Sequence, residues 1–394
     1  VHHAPLKFTV RHAALIFVLV CMPLAPARGT AQEANNRAGQ LERAASLVAA
    51  NQLAEAERQL NQVLKVAPGE AGALNLLGAI RAKQGKLDEA EALFSRAVES
   101  DKRLTGARMN LAYLFLLKGE PEKTAAELKE VLRLEPANAE AAYRLAWLLL
   151  KQGRADECVS LVESVRQSQK LSAPLLAVLG DAYLRRGDTG KGIAALQNAV
   201  ALSPAEPSFH YALGVAWLRH PADLQEAEQS FRAVLGLRPD DAQGQLHLGY
   251  VLLKQKRYAE ARELLERSLG KGAGTPEAFY YLGLIAQAQN EDERAITLFE
   301  KAIQLAPSYG HVHVALGSTY LKLKDYTRAQ SALEIGAKLT PDDSKAHYNL
   351  ALLYARLKQP ERAREEMRIV EKLKSEGKAR EDEGEAVAPP PLPR

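Results

Sequence analysis

Cysteine is scarce in this chain: Cys21 and Cys158 are the only two in 394 residues. If the N-terminal segment is removed, Cys158 stands alone and no intramolecular disulfide can form, so cysteine usage says nothing about compartment. Aromatic residues make up only 6%, and alanine and leucine dominate the apolar set. That balance argues for helix, because alanine and leucine lead the helix propensities whereas strands favour β-branched and aromatic side chains. Net charge is also small, +4, of which Lys7, Arg11 and Arg28 in the first 31 residues supply +3. A near-neutral body excludes the basic footprint of a nucleic-acid binder. The remaining composition, 47% apolar and 25% charged, excludes disorder throughout. A single core stops growing at roughly 250–300 residues, so this length calls for two domains or an extended repeat array.

The apolar stretch Ala13–Met22 has ten residues, where a membrane-spanning helix needs about 20. It follows Lys7 and Arg11 with no acid, and it precedes Pro23 and small residues. Ala25-Pro26-Ala27 and Gly29-Thr30-Ala31 both fit a small-x-small cleavage site. This is the three-part layout of a secretory signal peptide. Residues 1–31 are therefore expected to be an export signal cut after Ala27 or Ala31, leaving a periplasmic or secreted chain without a transmembrane segment. A lipid anchor at Cys21 is set aside because Val20 stands where a small residue is needed. Val1 as first residue fits an alternative start codon translated literally, which points to a bacterial source.

The body repeats itself. Gly249, Gly283 and Gly317 follow one another at intervals of 34 residues. Leu282-Gly283 is followed by Ala295, Phe299, Ala302 and Pro307, and Leu316-Gly317 by Ala329, Leu333 and Pro341. Ten such repeats begin at Arg37, Ala71, Thr105, Ala139, Ala173, Pro207, Ala242, Pro276, Gly310 and Ser344, and cover about residues 37–374. Position 8 is small in all ten: Ala44, Gly78, Ala112, Ala146, Gly180, Gly214, Gly249, Gly283, Gly317 and Ala351. Position 20 is small as well: Ala56, Ala90, Thr124, Cys158, Gly192, Ala227, Ala261, Ala295, Ala329 and Ala363, with a one-residue insertion in the sixth repeat.

This period and pattern resemble the tetratricopeptide repeat family. The resemblance implies an all-α fold, a right-handed superhelical solenoid of stacked antiparallel helix pairs, with the first helix of each pair lining a concave side. One pair cannot bury its own apolar face, so stability comes from stacking. Small residues at positions 8 and 20 let the two helices of a pair approach closely. Asn51, Gly85, Gly119, Gly153 and Gly187 lie between the helices, where a left-handed residue ends the first one. Lys256, Lys324 and Lys358 occupy the same place and are expected to carry strain or to close the turn differently. Pro68, Pro136, Pro204, Pro239, Pro307 and Pro341 stop the second helix. In the sixth repeat Pro221 is expected to end the first helix early. The polar Gln167–Lys170 marks a looser joint after the fourth repeat. The tail, residues 375–394, is acidic and proline-rich and is expected to be disordered.

Catalytic signatures are missing. His311 and His313 are two apart and fall on different sides of a helix. His210, His313 and His347 share repeat position 4, a packing column, and read as structural. Gly270-Lys271-Gly272-Ala273-Gly274-Thr275 lacks the spacing and the preceding strand of a phosphate loop. Cys158 sits in the small-residue column and reads as buried and inert. No nucleophile elbow appears. The chain is expected to be no enzyme and to need no cofactor or metal.

The informative residues lie beside the packing stripe of each first helix. Position 5 carries Tyr143, Tyr211, Tyr280 and Tyr348, and position 9 carries Tyr113, Trp147 and Tyr250. Position 13 is basic in seven of ten repeats, with Lys83, Lys151, Arg185, Arg219, Lys254, Lys322 and Arg356. By the resemblance this second stripe faces the groove. Aromatic contact area at low entropic cost beside positive charge suits an extended peptide with apolar anchors and carboxylates. The competing reading is structural: cations favour a helix C-terminus by about 0.3–1 kcal/mol, and the tyrosines pack on the neighbouring helix. The Lys/Asn clamp of chaperone-binding members is not matched, since Asn110 and Asn349 stand isolated. The expected function is a non-catalytic scaffold in the cell envelope that binds a protein or peptide. The alternative is a glycan- or polymer-binding component of polysaccharide export, or an enzyme accessory subunit.

Overall fold

The computed structural model describes residues 31–219, 223–270 and 274–382. The export signal expected over residues 1–31 falls outside them but for Ala31, as do His220–Ala222, Lys271–Ala273 and the proline-rich end of the tail. The described residues form twenty helices and no strand. They divide into two compact units, the boundary falling between Ala182 and Tyr183.

The first unit contains α1 (Ala31–Ala49), α2 (Leu53–Val66), α3 (Ala71–Lys83), α4 (Leu87–Ser100), α5 (Thr105–Lys118), α6 (Pro121–Leu134), α7 (Ala139–Lys151) and α8 (Ala155–Ser168). The boundary cuts α9 (Ala173–Arg185). The second unit continues with α10 (Thr189–Leu202), α11 (Pro207–Trp217), α12 (Leu224–Leu237), α13 (Ala242–Lys254), α14 (Tyr258–Leu269), α15 (Pro276–Ala288) and α16 (Asp292–Leu305). It ends with α17 (Gly310–Lys322), α18 (Tyr326–Leu339), α19 (Ser344–Arg356) and α20 (Pro360–Asp382). Odd-numbered helices are the first, and even-numbered the second, of each repeat.

Within a repeat, the position-8 glycine receives the side chain at position 24. A Cβ added to Gly78 would lie 2.7 Å from the Phe94 ring, and one on Gly214 2.8 Å from Phe231. On Gly317 it would lie 2.6 Å from Leu333. Gly283 is held against Phe299 most tightly of all. Phe94, Phe231 and Phe299 are fully buried, so each ring fills the space that the missing Cβ vacates. Phenylalanine at position 24 occurs only with glycine at position 8, while Ala112 pairs with Leu128 and Ala146 with Val162.

The turns between paired helices close as expected at Gly85, Gly119, Gly153 and Gly187, with φ between 74° and 88°. Asn51 does so at 61°, and Asn290 likewise. Lys256, Lys324 and Lys358 adopt the same left-handed conformation, with φ of 62°, 63° and 59°. The lysines therefore use no other closure, and they carry the Cβ crowding that glycine escapes.

The position-4 histidines are structural, and the reason is visible between repeats. His210 Nε2 lies 2.8 Å from the Pro204 carbonyl, His313 Nε2 2.9 Å from that of Pro307, and His347 Nε2 3.0 Å from that of Pro341. Gln245 does the same, donating to the Pro239 carbonyl at 2.9 Å. Each side chain satisfies a carbonyl that the helix-ending proline leaves open. Cys158 is fully buried.

One expectation about boundaries fits the helix lengths and one changes. Helix α11 has 11 residues against 13 in α13, α15, α17 and α19, as an early stop in the sixth repeat requires; Pro221 itself is outside the described residues. The tail is not irregular from residue 375, because α20 runs on to Asp382. Its sequence there is rich in Glu, Lys, Arg and Ala. Those residues favour helix without any packing.

Candidate functional site

In the second unit the aromatic positions come together. The Tyr250 and Tyr281 rings are 4.9 Å apart, Tyr281 and Tyr280 5.5 Å, and Tyr280 and Tyr309 5.3 Å. Tyr281 and Tyr309 are buried, while Tyr250 and Tyr280 are half-buried. The first two form a backing layer and the second two present their rings. Burial pushes the Tyr250 phenol up to about 12. Burial, followed by the Asp343 carboxylate and Tyr250, raises Tyr280 as well.

Lys254, one turn beyond Tyr250 on α13, places its ammonium 5.5 Å from the Tyr250 ring centre. Tyr309 reaches His311, ring to ring at 6.2 Å, and His311 Nδ1 lies 3.1 Å from Asp343 Oδ2. Asp343 also accepts from the Lys345 backbone N–H at 2.9 Å, which caps the start of α19. A separate group lies one repeat earlier. Tyr211 meets Phe231 at 5.8 Å and His247 at 5.1 Å. Burial lowers the His247 pKa.

The other expected residues differ in exposure and in their partners. Tyr113 is a packing residue: its hydroxyl donates to Glu140 at 2.9 Å, and the Arg144 guanidinium lies 4.0 Å from its ring centre. This ties α5 to α7. Tyr143 and Trp147 are half-buried on α7, and Lys151 lies 5.5 Å from the Trp147 ring centre. Tyr348 is 45% exposed. Arg185 and Arg356 are exposed at the ends of α9 and α19.

The basic ladder is partly used within the fold. Lys83 donates to the Val48 carbonyl at 3.1 Å, and Arg219 to the Leu184 carbonyl. Lys322 donates to Asn290 at 2.8 Å and to Asp292 at 2.7 Å. Lys83 and Arg219 reach back one repeat to the end of the preceding first helix, where negative partial charge accumulates, whereas Lys322 reaches the turn after α15 and the first residue of α16. Lys254 differs: its ammonium lies over the Tyr250 ring, and no ion pair or hydrogen bond joins it among the described residues. Asn110, alone in the clamp pattern, donates its amide to Asn75 at 2.8 Å, and both residues are buried.

Sequence reasoning passed over Tyr281, Tyr309, His247 and Lys345 as site residues and weighed His311 only as a metal ligand. Tyr309 stands immediately before a first helix, where Asn138, Asp241, Thr275 and Asp343 accept from backbone N–H groups. Tyr309 makes no such cap and packs on Tyr280 instead; Glu70 and Leu104 at the same place make none either, so the sequence held no signal for it. Among the described residues no group of three His, Cys, Asp or Glu is placed to hold a metal ion. No helix among them is long and apolar enough to cross a membrane.

Comparison with known proteins gives the same architecture. Profiles described as tetratricopeptide repeat match residues 41–103, 115–182, 178–242, 222–276, 249–310 and 314–377. The chain is 32% identical over 188 residues to cellulose synthase operon protein C of Xanthomonas axonopodis, which is 45% of this chain and 12% of that one. It is 27% identical over 197 residues to a TPR repeat-containing protein of Pseudomonas aeruginosa, 49% of this chain and 33% of that one. It is 31% identical over 131 residues to the type IV pilus assembly protein PilF of the same organism, 32% of this chain and 51% of that one. The chain thus spans a third or less of the first two relatives. The crystal structure of the Cut9–Hcn1 hetero-tetramer of APC/C superposes with a TM-score of 0.52 at 15% identity, covering 87% of this chain and 82% of that one; it speaks for the fold alone. With repeat profiles over most of its length and helix pairs in the matching register, the chain belongs to the tetratricopeptide repeat family.

Proposed function

We propose that this protein is a non-catalytic scaffold that holds a protein or peptide partner along the inner stripe of its first helices, and that it works in the cell envelope after export. A tetratricopeptide repeat protein fits a protein-binding scaffold. The observation that carries the groove reading is the pair Tyr250 and Tyr280, half-exposed rings backed by buried Tyr281 and Tyr309. Rigid aromatic side chains on a packed support offer contact area with little entropy left to lose. The N-terminal basic, apolar and small-residue segments support export.

The test is nuclear magnetic resonance of the full chain with tyrosine rings labelled. Peptides are expected to shift Tyr250 and Tyr280. Intact-mass measurement of protein from the envelope fraction, expected to begin after Ala27 or Ala31, tests export.

A second reading has its own support. The 32% identical stretch belongs to a relative named for a cellulose synthase operon, and tyrosine rings stack on sugars as well as on side chains. Cellohexaose shifting the same rings where peptides do not decides for the glycan.

A further inference from the structure

Position 24 of a repeat packs on its own first helix and on the next repeat. Phe231, for example, meets Gly214 on α11 and the His247 ring on α13, the latter at 5.3 Å. In the nine earlier repeats, from Leu60 to Leu333, no side chain at this position is more than 1% exposed. Met367 holds it in the last repeat and is 36% exposed. Leu352, on α19, is 41% exposed. Together with Ala351, Ala355 and Ala363 these two line a slot of about 450 Å³ between α19 and α20. The slot is built in advance, because Val370 is buried and His347 Nδ1 lies 2.7 Å from Glu366 Oε2, which holds α20 on α19.

The first repeat ends differently. Helix α1 exposes Glu42, Arg43 and Ser46 and no large apolar side chain. A stack of repeats needs a polar outer face at each end, and at the last pair that face is apolar. Residues 383–394, which follow α20 and lie outside the described residues, have the composition and the length to cover it. Glu383-Gly384-Glu385 places a glycine where the chain must turn, and glycine turns at little steric cost. Residues 386–393 read Ala-Val-Ala-Pro-Pro-Pro-Leu-Pro and carry no charge. Three successive prolines forbid another helix and favour polyproline II. From Met367 to Asp382 the chain advances 15 residues along α20, about 22 Å at 1.5 Å per residue. Polyproline II rises about 3.1 Å per residue, so the seven steps from Glu385 to Leu392 return about 22 Å. A turn at Gly384 therefore brings Leu392 back to the level of Met367. A second copy fits the face less well. Two helices side by side, as long as the 13 residues of α19, offer about 20 Å by 20 Å. Two copies would bury about 800 Å², below the roughly 1,000 Å² that a specific interface needs.

We propose that residues 386–393 fold back along α20 and seat Leu392 in the slot between Leu352 and Met367, where an eleventh first helix would otherwise stand. The chain's own tail then caps the array and keeps an apolar face from meeting other chains. This contact is independent of the inner stripe of first helices.

Nuclear magnetic resonance of the full chain with carbon-13 methionine methyl groups tests it, because Met367 reports on the slot and buried Met109 on the fold. The double variant Val387→Asp, Leu392→Asp is expected to shift the Met367 methyl and leave Met109 in place. A chain ending at Asp382 is expected to give the same Met367 position as that variant. Adding a synthetic peptide of residues 383–394 to the shortened chain is expected to return Met367 to its full-chain position. A Met367 resonance identical in all three proteins overturns the proposal. So does a shortened chain whose Met367 signal ignores the peptide. A Met367 position that changes with protein concentration in the full chain assigns the slot to a second copy and overturns it as well.

Discussion

Asn110 on α5 donates its amide hydrogen to Asn75 on α3 at 2.8 Å, in an interface where the two residues are only 1% and 6% exposed. The bond joins the first helices of successive repeats through a buried polar contact. The Asn110 carbonyl oxygen finds no other protein partner, so the pair is only partly satisfied. Removing one partner leaves a buried donor unpaired, at a cost of about 1–3 kcal/mol, whereas removing both is nearly neutral. Asn75→Leu is therefore expected to destabilise clearly, and the double variant with Asn110→Leu to recover most of the loss. Urea denaturation of the four proteins of this cycle checks it.

The glycine and phenylalanine of a repeat act as a unit. Gly283→Ala drives a methyl group into the Phe299 ring, and overpacking of this kind typically costs about 1–3 kcal/mol. Adding Phe299→Leu recreates the alanine–leucine pairing of Ala112 and Leu128. The double variant is expected to denature at a higher urea concentration than Gly283→Ala alone.

Lys256, Lys324 and Lys358 hold positive φ without being glycine. Left-handed backbone costs an L-residue about 1–2 kcal/mol, and glycine gives back part of that gain through its greater unfolded freedom. Each lysine-to-glycine substitution is therefore expected to stabilise by about 0.5–1 kcal/mol. Thermal denaturation of the triple variant should show an increase in Tm.

Arg81 grips Glu57 with two nitrogens, at 2.6 and 2.9 Å, joining the second helix of one repeat to the first helix of the next. The hydrogen bond from Arg81 holds the Glu57 carboxyl below the usual carboxylate range. A lowered folded pKa means stability that is present above the unfolded carboxylate value and lost as pH falls through the folded one. The pair is partly exposed, so its share stays within about 1 kcal/mol. Wild type should exceed Arg81→Gln in stability at pH 7, and the gap should close on acidification below the ordinary glutamate range.

Much of this was legible in the sequence because every repeat poses the same packing problem. Gly283 and Phe299 satisfy it within one helix pair, so their spacing alone gives the register. Tyr280 and Tyr250 were legible for the same reason, since their stripe follows from helical periodicity. What lay hidden depends on a different repeat. Tyr113 is spent on Glu140 and Arg144, and Lys322 on Asn290 and Asp292, partners about one repeat away whose side chains the pattern does not fix. Tyr309 and His311 meet Tyr280 and Asp343 from neighbouring repeats, contacts that the periodicity within one repeat does not fix. The extension of α20 to Asp382 was missed because polar composition was read as disorder, although Glu, Lys, Arg and Ala are themselves helix formers.

The central claim is that the inner stripe of first helices meets the partner. Site-specific photo-crosslinking in intact cells tests it most directly, with a photoreactive phenylalanine replacing Tyr250 or Tyr348 on the inner stripe, or Glu293 on the exposed side of α16. The account predicts a protein adduct of the same mass from both inner positions and none from position 293. Adducts from position 293 alone would contradict it.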